Sequence, residues 1–313
     1  MDTRVSDLAA LRGFVDRHPR LFVLTGAGVS TDSGIPDYRD TDGEWKRSPP
    51  MTLQTFMGGE YARARYWARS MVGWRRFGQV QPNASHRALA QLQQRGRVSI
   101  LVTQNVDGLH EAAGSRDVVD LHGRLDQVRC MNCDWRGHRD AWQQTLHQRN
   151  LGWIAFEADD APDGDADLDG VDFASFQVPP CPVCGGVVKP DVVFFGETVP
   201  RERVDRANAG LMAADAVLVV GSSLMVYSGY RFVTAASRNG MPIAAINLGR
   251  TRADNLLTLK VELPSAMALE ALTAPRRGRG GGRFLTGLTK YPPCKDFLCR
   301  YRPFHRVVHR YCG

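Results

Sequence analysis

Four cysteines stand in two C-x-x-C pairs, Cys130/Cys133 and Cys181/Cys184, with 47 residues between the pairs. Each pair can turn two thiolates toward one tetrahedral cation, and soft thiolate ligands select zinc. A shell closed by four protein ligands leaves no place for water. The spacing therefore predicts one structural zinc per chain, in preference to free or redox-paired thiols. Gly185 and Gly186 suit the tight turn after the second pair. The other cysteines, Cys294, Cys299 and Cys312, lie near the C-terminus. An odd total of seven, four of them in C-x-x-C pairs, points to a reducing compartment and away from a disulfide framework.

A second stretch with chemical potential is "TGAGVSTDSGIPDYRD", residues 25–40. Gly26-x-Gly28 begins like a dinucleotide-binding loop, which lets backbone approach a phosphate at a helix N-terminus. The third glycine of G-x-G-x-x-G would fall at position 31, which is Thr31, and a further turn, Ser33-Gly34, follows. The loop therefore departs from that of a hydride-transferring dehydrogenase.

Short apolar runs, each ending in small or polar residues, must carry these groups. "RLFVLTGAG", "RVSILVTQNVDGL", "AADAVLVVGSSL" and "MPIAAINLG" read as strands separated by helical patterns. That alternation predicts an α/β fold, a Rossmann-like parallel sheet with helices on both faces. Ligands of such sheets lie at the carboxyl ends of the strands, here at Gly26, Gln104, Gly221 and Asn247. Two segments interrupt the alternation. Residues 45–85 are rich in Trp, Tyr and Arg and read as a helical insertion; residues 127–185 hold the cysteine pairs and form a zinc module. Together they predict a second, smaller domain. The acidic stretch "EADDAPDGDADLDG" reads as a solvated excursion, since the bidentate Glu of a calcium loop is not in its place.

The net charge of +7 is unevenly spread. Residues 275–313 hold ten Lys/Arg and one acid, so the tail carries +9 and the rest of the chain −2. The body thus gives no electrostatic reason to expect nucleic-acid binding. No run approaches the ~20 apolar residues of a membrane span. The N-terminal segment reads as an amphipathic helix, without the features of a signal or transit peptide. These features together predict a cytoplasmic protein.

The ordered set "GAGVSTDSGIPDYR", "TQNVDGLH", "LHG", the two C-x-x-C pairs, "KPDVVFFGE", "VVGSSL" and "INLG" resembles the sirtuins, NAD-dependent protein lysine deacylases, over roughly residues 15–265. "RYWARSMVGW", "APDGD", "SFQVP" and "VYSGYRF" are similar to the class II branch, which has many bacterial members and a mitochondrial one. The resemblance implies that acyl-lysine and NAD give lysine, nicotinamide and an O-acyl-ADP-ribose. The domain expected is 1–274, with Rossmann-like parts at about 1–44, 86–126 and 186–274. Protein mono-ADP-ribosyl transfer at the same site is the alternative. A non-catalytic zinc protein that binds nucleic acid is a more distant one. A mitochondrial matrix location would apply to a eukaryotic source.

The resemblance also assigns roles. His122, in "LHG", is the proton acceptor, with Asn105 and Asp107 beside the reacting centre. The cofactor residues are Gly26, Ala27, Gly28, Ser30, Asp37, Tyr38, Arg39, Gln104, Asn105, Val106, Asp107, Gly221, Ser222, Ser223, Asn247, Leu248, Gly249 and Ser265. Val193, Phe194, Phe195, Gly196 and Glu197 would pair with the substrate peptide as an added strand. Tyr66 and Arg69, at i and i+3 of a helix, would read a carboxylate on the acyl group. Acylated-lysine proteins are the expected partners. The tail 275–313 has no counterpart in the family. It is expected to be a disordered or non-native extension that activity does not need.

Overall fold

Leu21–Thr25 (β1), which follows the N-terminal helix Thr3–Arg17 (α1), is buried at every residue, as a central strand of a doubly covered parallel sheet must be. The computed structural model describes residues 3–46, 50–157, 160–168 and 170–274, so expectations for the tail lie outside the described residues. In chain order the helices Leu53–Gly58 (α2) and Glu60–Phe77 (α3) precede Ala84–Gln94 (α4), Val98–Thr103 (β2), Leu109–Ala112 (α5) and Val118–Asp120 (β3). Next come Gly123–Cys130 (β4), Arg136–His138 (β5), Arg139–Arg149 (α6), the two-residue strands Asp160–Ala161 (β6) and Asp165–Ala166 (β7), and Val188–Val192 (β8). Arg201–Met212 (α7), Ala216–Val220 (β9), Tyr227–Arg238 (α8), Ile243–Ile246 (β10), Leu259–Val261 (β11) and Ser265–Thr273 (α9) complete the helices and strands of the described residues.

Six strands form one parallel sheet in the order β11-β10-β9-β1-β2-β3. The chain moves outward from β1 to β3 and then returns to the other side of β1 through β9. The two halves part between β1 and β9, which is where a doubly wound sheet opens its ligand crevice. Leu11, Phe14 and Val15 of α1, Ala88, Leu89 and Leu92 of α4, and Ala268 and Leu269 of α9 pack on one face. Ala207 and Leu211 of α7 and Phe232, Val233 and Ala236 of α8 pack on the other. The four apolar runs fall on β1, β2, β9 and β10. The edge strand β11 has only three residues, too short for a clear pattern.

β4, β5 and β8 form a separate antiparallel sheet. Its apolar side shares one core with α2, α3 and α6: Phe56, Trp67 and Met71 meet Val128, Trp142, Leu146 and Val188. The two interruptions of the alternation are thus one lobe. Trp67 is fully buried and donates its indole N–H to the Val188 carbonyl at 3.2 Å, tying the helical insertion to the cysteine-bearing sheet. Trp67→Ala is expected to cost about 3–5 kcal/mol. Urea unfolding would measure it, and a loss below about 1 kcal/mol would mean that the lobe does not depend on this contact. No helix among the described residues is long and apolar enough to cross a membrane.

Candidate active site

The crevice floor is made of glycines because two backbones touch there. A side chain on Gly26 would place its Cβ 2.8 Å from Ser222 Cβ, and one on Gly28 would lie 3.0 Å from Gly221 Cα. Gly221 itself has φ +58 and faces the Gly28 and Val29 backbone. The loop does not enter an α-helix as the sequence pattern suggests. It forms two short 3-10 turns, Ala27–Val29 and Thr31–Ser33, ended by Gly34 at φ +90. Ser30, Thr31, Asp32 and Ser33 are residues that compete with helical hydrogen bonding, which explains the correction. Among the described residues, the floor opens into a cavity of about 1160 Å³.

His122 lines that cavity just after β3. Its Nδ1 lies 2.8 Å from the Gln104 carbonyl, which can only accept, so Nδ1 carries the proton. Nε2 is then the lone-pair nitrogen, and Ser228 Oγ sits 2.7 Å from it. Burial pushes His122 down to about 4, against the opposing pull of the Gln104 bond, so the ring is neutral near pH 7. The next residue is Gly123, with φ +84, where a Cβ would fall 2.0 Å from the Asp191 carbonyl. His110 does not line the cavity: it is buried and bonds Thr25 Oγ1 at 2.9 Å.

Of the other expected site residues, Ser30, Asp107 and Gly249 lie outside the cavity lining. Ser30 and Asp107 form its backing. Ser30 Oγ donates to Asp107 Oδ2 at 2.7 Å and accepts from Asn105 Nδ2 at 3.0 Å, while Leu109 N donates to Asp107 Oδ1. His86 completes this chain. Its Nδ1 accepts from Asn83 N, which leaves Nε2–H for Ser30 Oγ at 3.4 Å. The sequence reading missed His86, whose position three residues after the capping Asn83 was the available signal. Gln104 Nε2 donates to Ser222 Oγ at 2.7 Å, linking the carboxyl ends of β2 and β9. Asn247 Nδ2 bonds the Leu248 and Gly249 carbonyls, and Gly249, at φ +83, packs on the Thr41 backbone. Ser223 and Leu248 line the same end of the cavity, as does Ser265, whose hydroxyl contacts that of Ser85 at 2.9 Å.

Asp37, Tyr38 and Arg39 form the outer wall. Asp37 pairs with Lys46 at 2.5 Å, Arg39 donates to the Gly43 carbonyl and lies 3.7 Å over the Trp45 ring, and Tyr38 meets that ring edge-on. Trp45 also contacts Phe195 at 5.7 Å, joining this loop to the expected peptide strand. Sequence reasoning assigned Trp45 only to the helical insertion. Val193, Phe194, Phe195, Gly196 and Glu197 all line the cavity, beyond the end of β8. Thr52 forms a parallel bridge with Phe195, and Glu197 accepts from Phe194 N at 2.9 Å while pairing with buried Lys189 at 3.2 Å. The Glu197 carboxylate therefore braces the segment.

Tyr66 and Arg69 share one face of α3 and line the cavity. Tyr66 packs against Phe56 and Phe194. The Arg69 fork is filled by Asp165, with contacts of 2.9, 3.1 and 2.9 Å. The acidic stretch is consequently no free excursion. The β6–β7 hairpin packs on α3 because Gly73 lacks a side chain; a Cβ there would lie 2.2 Å from the Gly164 carbonyl. The hairpin's Pro162, Gly164 and Asp165 enter the cavity lining.

The four cysteine sulfurs lie within 4.8 Å of one another, with 3.5 Å between Cys130 and Cys184 and 3.8 Å between Cys133 and Cys181. Zinc–sulfur bonds of about 2.3 Å in a tetrahedron put ligands about 3.8 Å apart, so these residues are positioned to bind one zinc ion. Asn132 N points at Cys130 Sγ from 3.3 Å, and the Gly185 N–H closes the second knuckle onto the Cys181 carbonyl. The Asn132 N–H, aimed at the sulfur, favours the Cys130 thiolate.

The chain matches the Sir2 family model over residues 26–228. It is 72% identical over 264 residues to an NAD-dependent protein deacetylase of Bordetella bronchiseptica, covering 84% of this chain and 96% of the relative. A protein of the same name from Xanthomonas axonopodis pv. citri is 68% identical over 269 residues, covering 86% and 92%. Among solved structures, Sir2 with a p53 peptide and NAD+ superposes with a TM-score of 0.65 at 27% identity, covering 87% of this chain and 97% of that one. Sir2 with a deacetylated p53 peptide and 3'-O-acetyl ADP ribose gives 0.68 at 27% identity, covering 85% and 97%.

Proposed function

This chain belongs to the Sir2 family, and we infer from that membership and from the geometry around His122 that it is an NAD-dependent protein lysine deacetylase. One observation supports the chemistry above others: a neutral imidazole, with its lone pair on Nε2, faces a cavity that begins at a glycine floor between β1 and β9. Bound NAD supplies a ribose–nicotinamide bond to break and a ribose to accept the acyl group. The residues present suit it. Gly26, Gly28 and Gly221 let the turns after β1 and β9 meet closely enough to form the floor on which a pyrophosphate could lie, Arg39 offers a cation, and Asn247 and Ser265 bound the adenosine end.

His122 Nε2 takes the proton that a ribose hydroxyl must lose, since it is the one unprotonated nitrogen on the ring. Asp107, held from behind by Ser30 and Leu109 N, fixes the Asn105–Asp107 turn that accommodates the carboxamide. Tyr38 and Trp45 screen the reacting end from water. The acylated peptide lies along Val193–Glu197, opposite Met225 and Tyr227, which line the same cavity. The protein works in the bacterial cytoplasm, where reduced thiolates can hold the zinc. Incubation with an acetyl-lysine peptide and NAD tests the reading. Lysine, nicotinamide and O-acetyl-ADP-ribose are expected. ADP-ribose left on protein would favour transferase activity, and unconsumed NAD would defeat both.

Acyl choice follows from the filled fork of Arg69. A carboxylate-bearing acyl group would have to displace Asp165, a carboxylate already tethered at the right distance, so neutral acyl groups are preferred. Asp165→Asn is expected to raise glutaryl removal relative to acetyl removal by about 10–150-fold, the worth of one charge-assisted hydrogen bond. Arg69→Met in that background should abolish the gain. An unchanged kcat/KM ratio in Asp165→Asn would show that the pair only anchors the hairpin.

A further inference from the structure

Ser228 is the second residue of α8 and lines the cavity together with His122. Its hydroxyl oxygen lies 2.7 Å from Nε2, the nitrogen that must act as base. Because Nδ1–H is committed to the Gln104 carbonyl, Nε2 can only accept, and the Ser228 hydroxyl is its donor. Among the described residues that hydroxyl makes no other hydrogen bond, so both its lone pairs are available to a donor in the cavity. The lone pair of the base is thus covered, and a proton from the cavity meets Ser228 Oγ on the way to it.

Building on His122 as the base, we propose that Ser228 is a catalytic proton relay between the reacting hydroxyl and Nε2. The hydroxyl that attacks loses its proton to Ser228 Oγ as the original Ser228 proton moves to Nε2. One O–H bond breaks at the reactant and one forms at the serine. The serine's first O–H bond breaks and an N–H bond forms on the ring. Serine ends neutral, the imidazole becomes imidazolium, and the reactant oxygen carries the negative charge. Reversal of the relay returns the proton later in the turnover. A hydroxyl is suited to this because it can donate and accept at once.

Ser228→Ala and Ser228→Thr test the assignment. Removing the hydroxyl is expected to lower kcat/KM by at least about tenfold, as loss of one proton-transfer partner should. It should also remove the donor that favours the neutral ring, so His122 should titrate at higher pH. NMR titration of the His122 imidazole in the ligand-free protein reads this independently of turnover, and the acid limb of kcat/KM should move the same way. Threonine keeps the hydroxyl and should restore both rate and titration, while NAD affinity stays the same in all three proteins. Wild-type or faster turnover in Ser228→Ala would overturn the relay, as would an unmoved titration or a loss that threonine does not repair. The reading of His122 fails separately, if His122→Ala remains active.

Discussion

His122→Ala is expected to fold, to keep its zinc and to deacylate about 10²–10⁴-fold more slowly than the parent. The imidazole lies at the cavity wall, and the backbone turn at Gly123 fixes its position. Its removal therefore takes away the proposed proton acceptor and spares the buried clusters of the sheet and the lobe. Steady-state release of O-acetyl-ADP-ribose measures the rate, and circular dichroism with metal analysis checks the fold. The pH profile should carry the same signature. Burial pushes the imidazole from its ordinary 6.5 to about 4, so the neutral, active form persists as pH falls past 6.5. In the parent the acid limb of kcat/KM should lie well below 6.5. Deacylation by His122→Ala at near-parental rate would remove His122 from the role, whereas an acid limb at 6.5 would show that burial does not depress the imidazole.

Changing one ligand, for example Cys181→Ser, should release the zinc and unfold the lobe that holds it. Zinc binding contributes on the order of 10 kcal/mol to the folding of small metal-bound domains. That matches the whole stability of a typical domain, about 5–15 kcal/mol. Cys130 and Cys181 are buried in the same core as Trp67 and Phe194, so the loss should reach the peptide segment and abolish turnover as well. Metal analysis should find about one zinc per chain in the parent. A zinc-free protein with parental melting and activity would show that the four thiols serve another purpose.

Much of this architecture was legible because its signals are local. Each of the four long apolar runs became a sheet strand, since a parallel strand buried on both faces needs uninterrupted Val, Ile and Leu. The cysteine pairs were legible from spacing alone. The role proposed for His122 was not: residue type and position alone favour a structural histidine, and only the resemblance singled it out as a base. Other features depend on contacts between distant segments. Asp165 lies 96 residues from Arg69, and nothing in either neighbourhood marks the pairing. The covering of Nε2 by Ser228 spans 106 residues. Trp45 falls at the edge of an aromatic-rich segment, where composition reads as packing and its bridge to Phe195 cannot be seen.

The glycine floor also limits how the protein can be re-engineered. Matching an enlarged nucleotide analogue to a widened pocket requires a side chain that can be trimmed. Gly26, Gly28 and Gly221 have none, and each already meets the opposing backbone or Ser222 closer than a Cβ would allow. An orthogonal enzyme–analogue pair would have to place its bulk elsewhere. Leu248, which is 56% exposed at the cavity's far end, still has atoms to give up. With the dinucleotide placed as proposed, selectivity for artificial dinucleotides is a property that this scaffold can acquire at the Leu248 rim and is denied at the glycine floor.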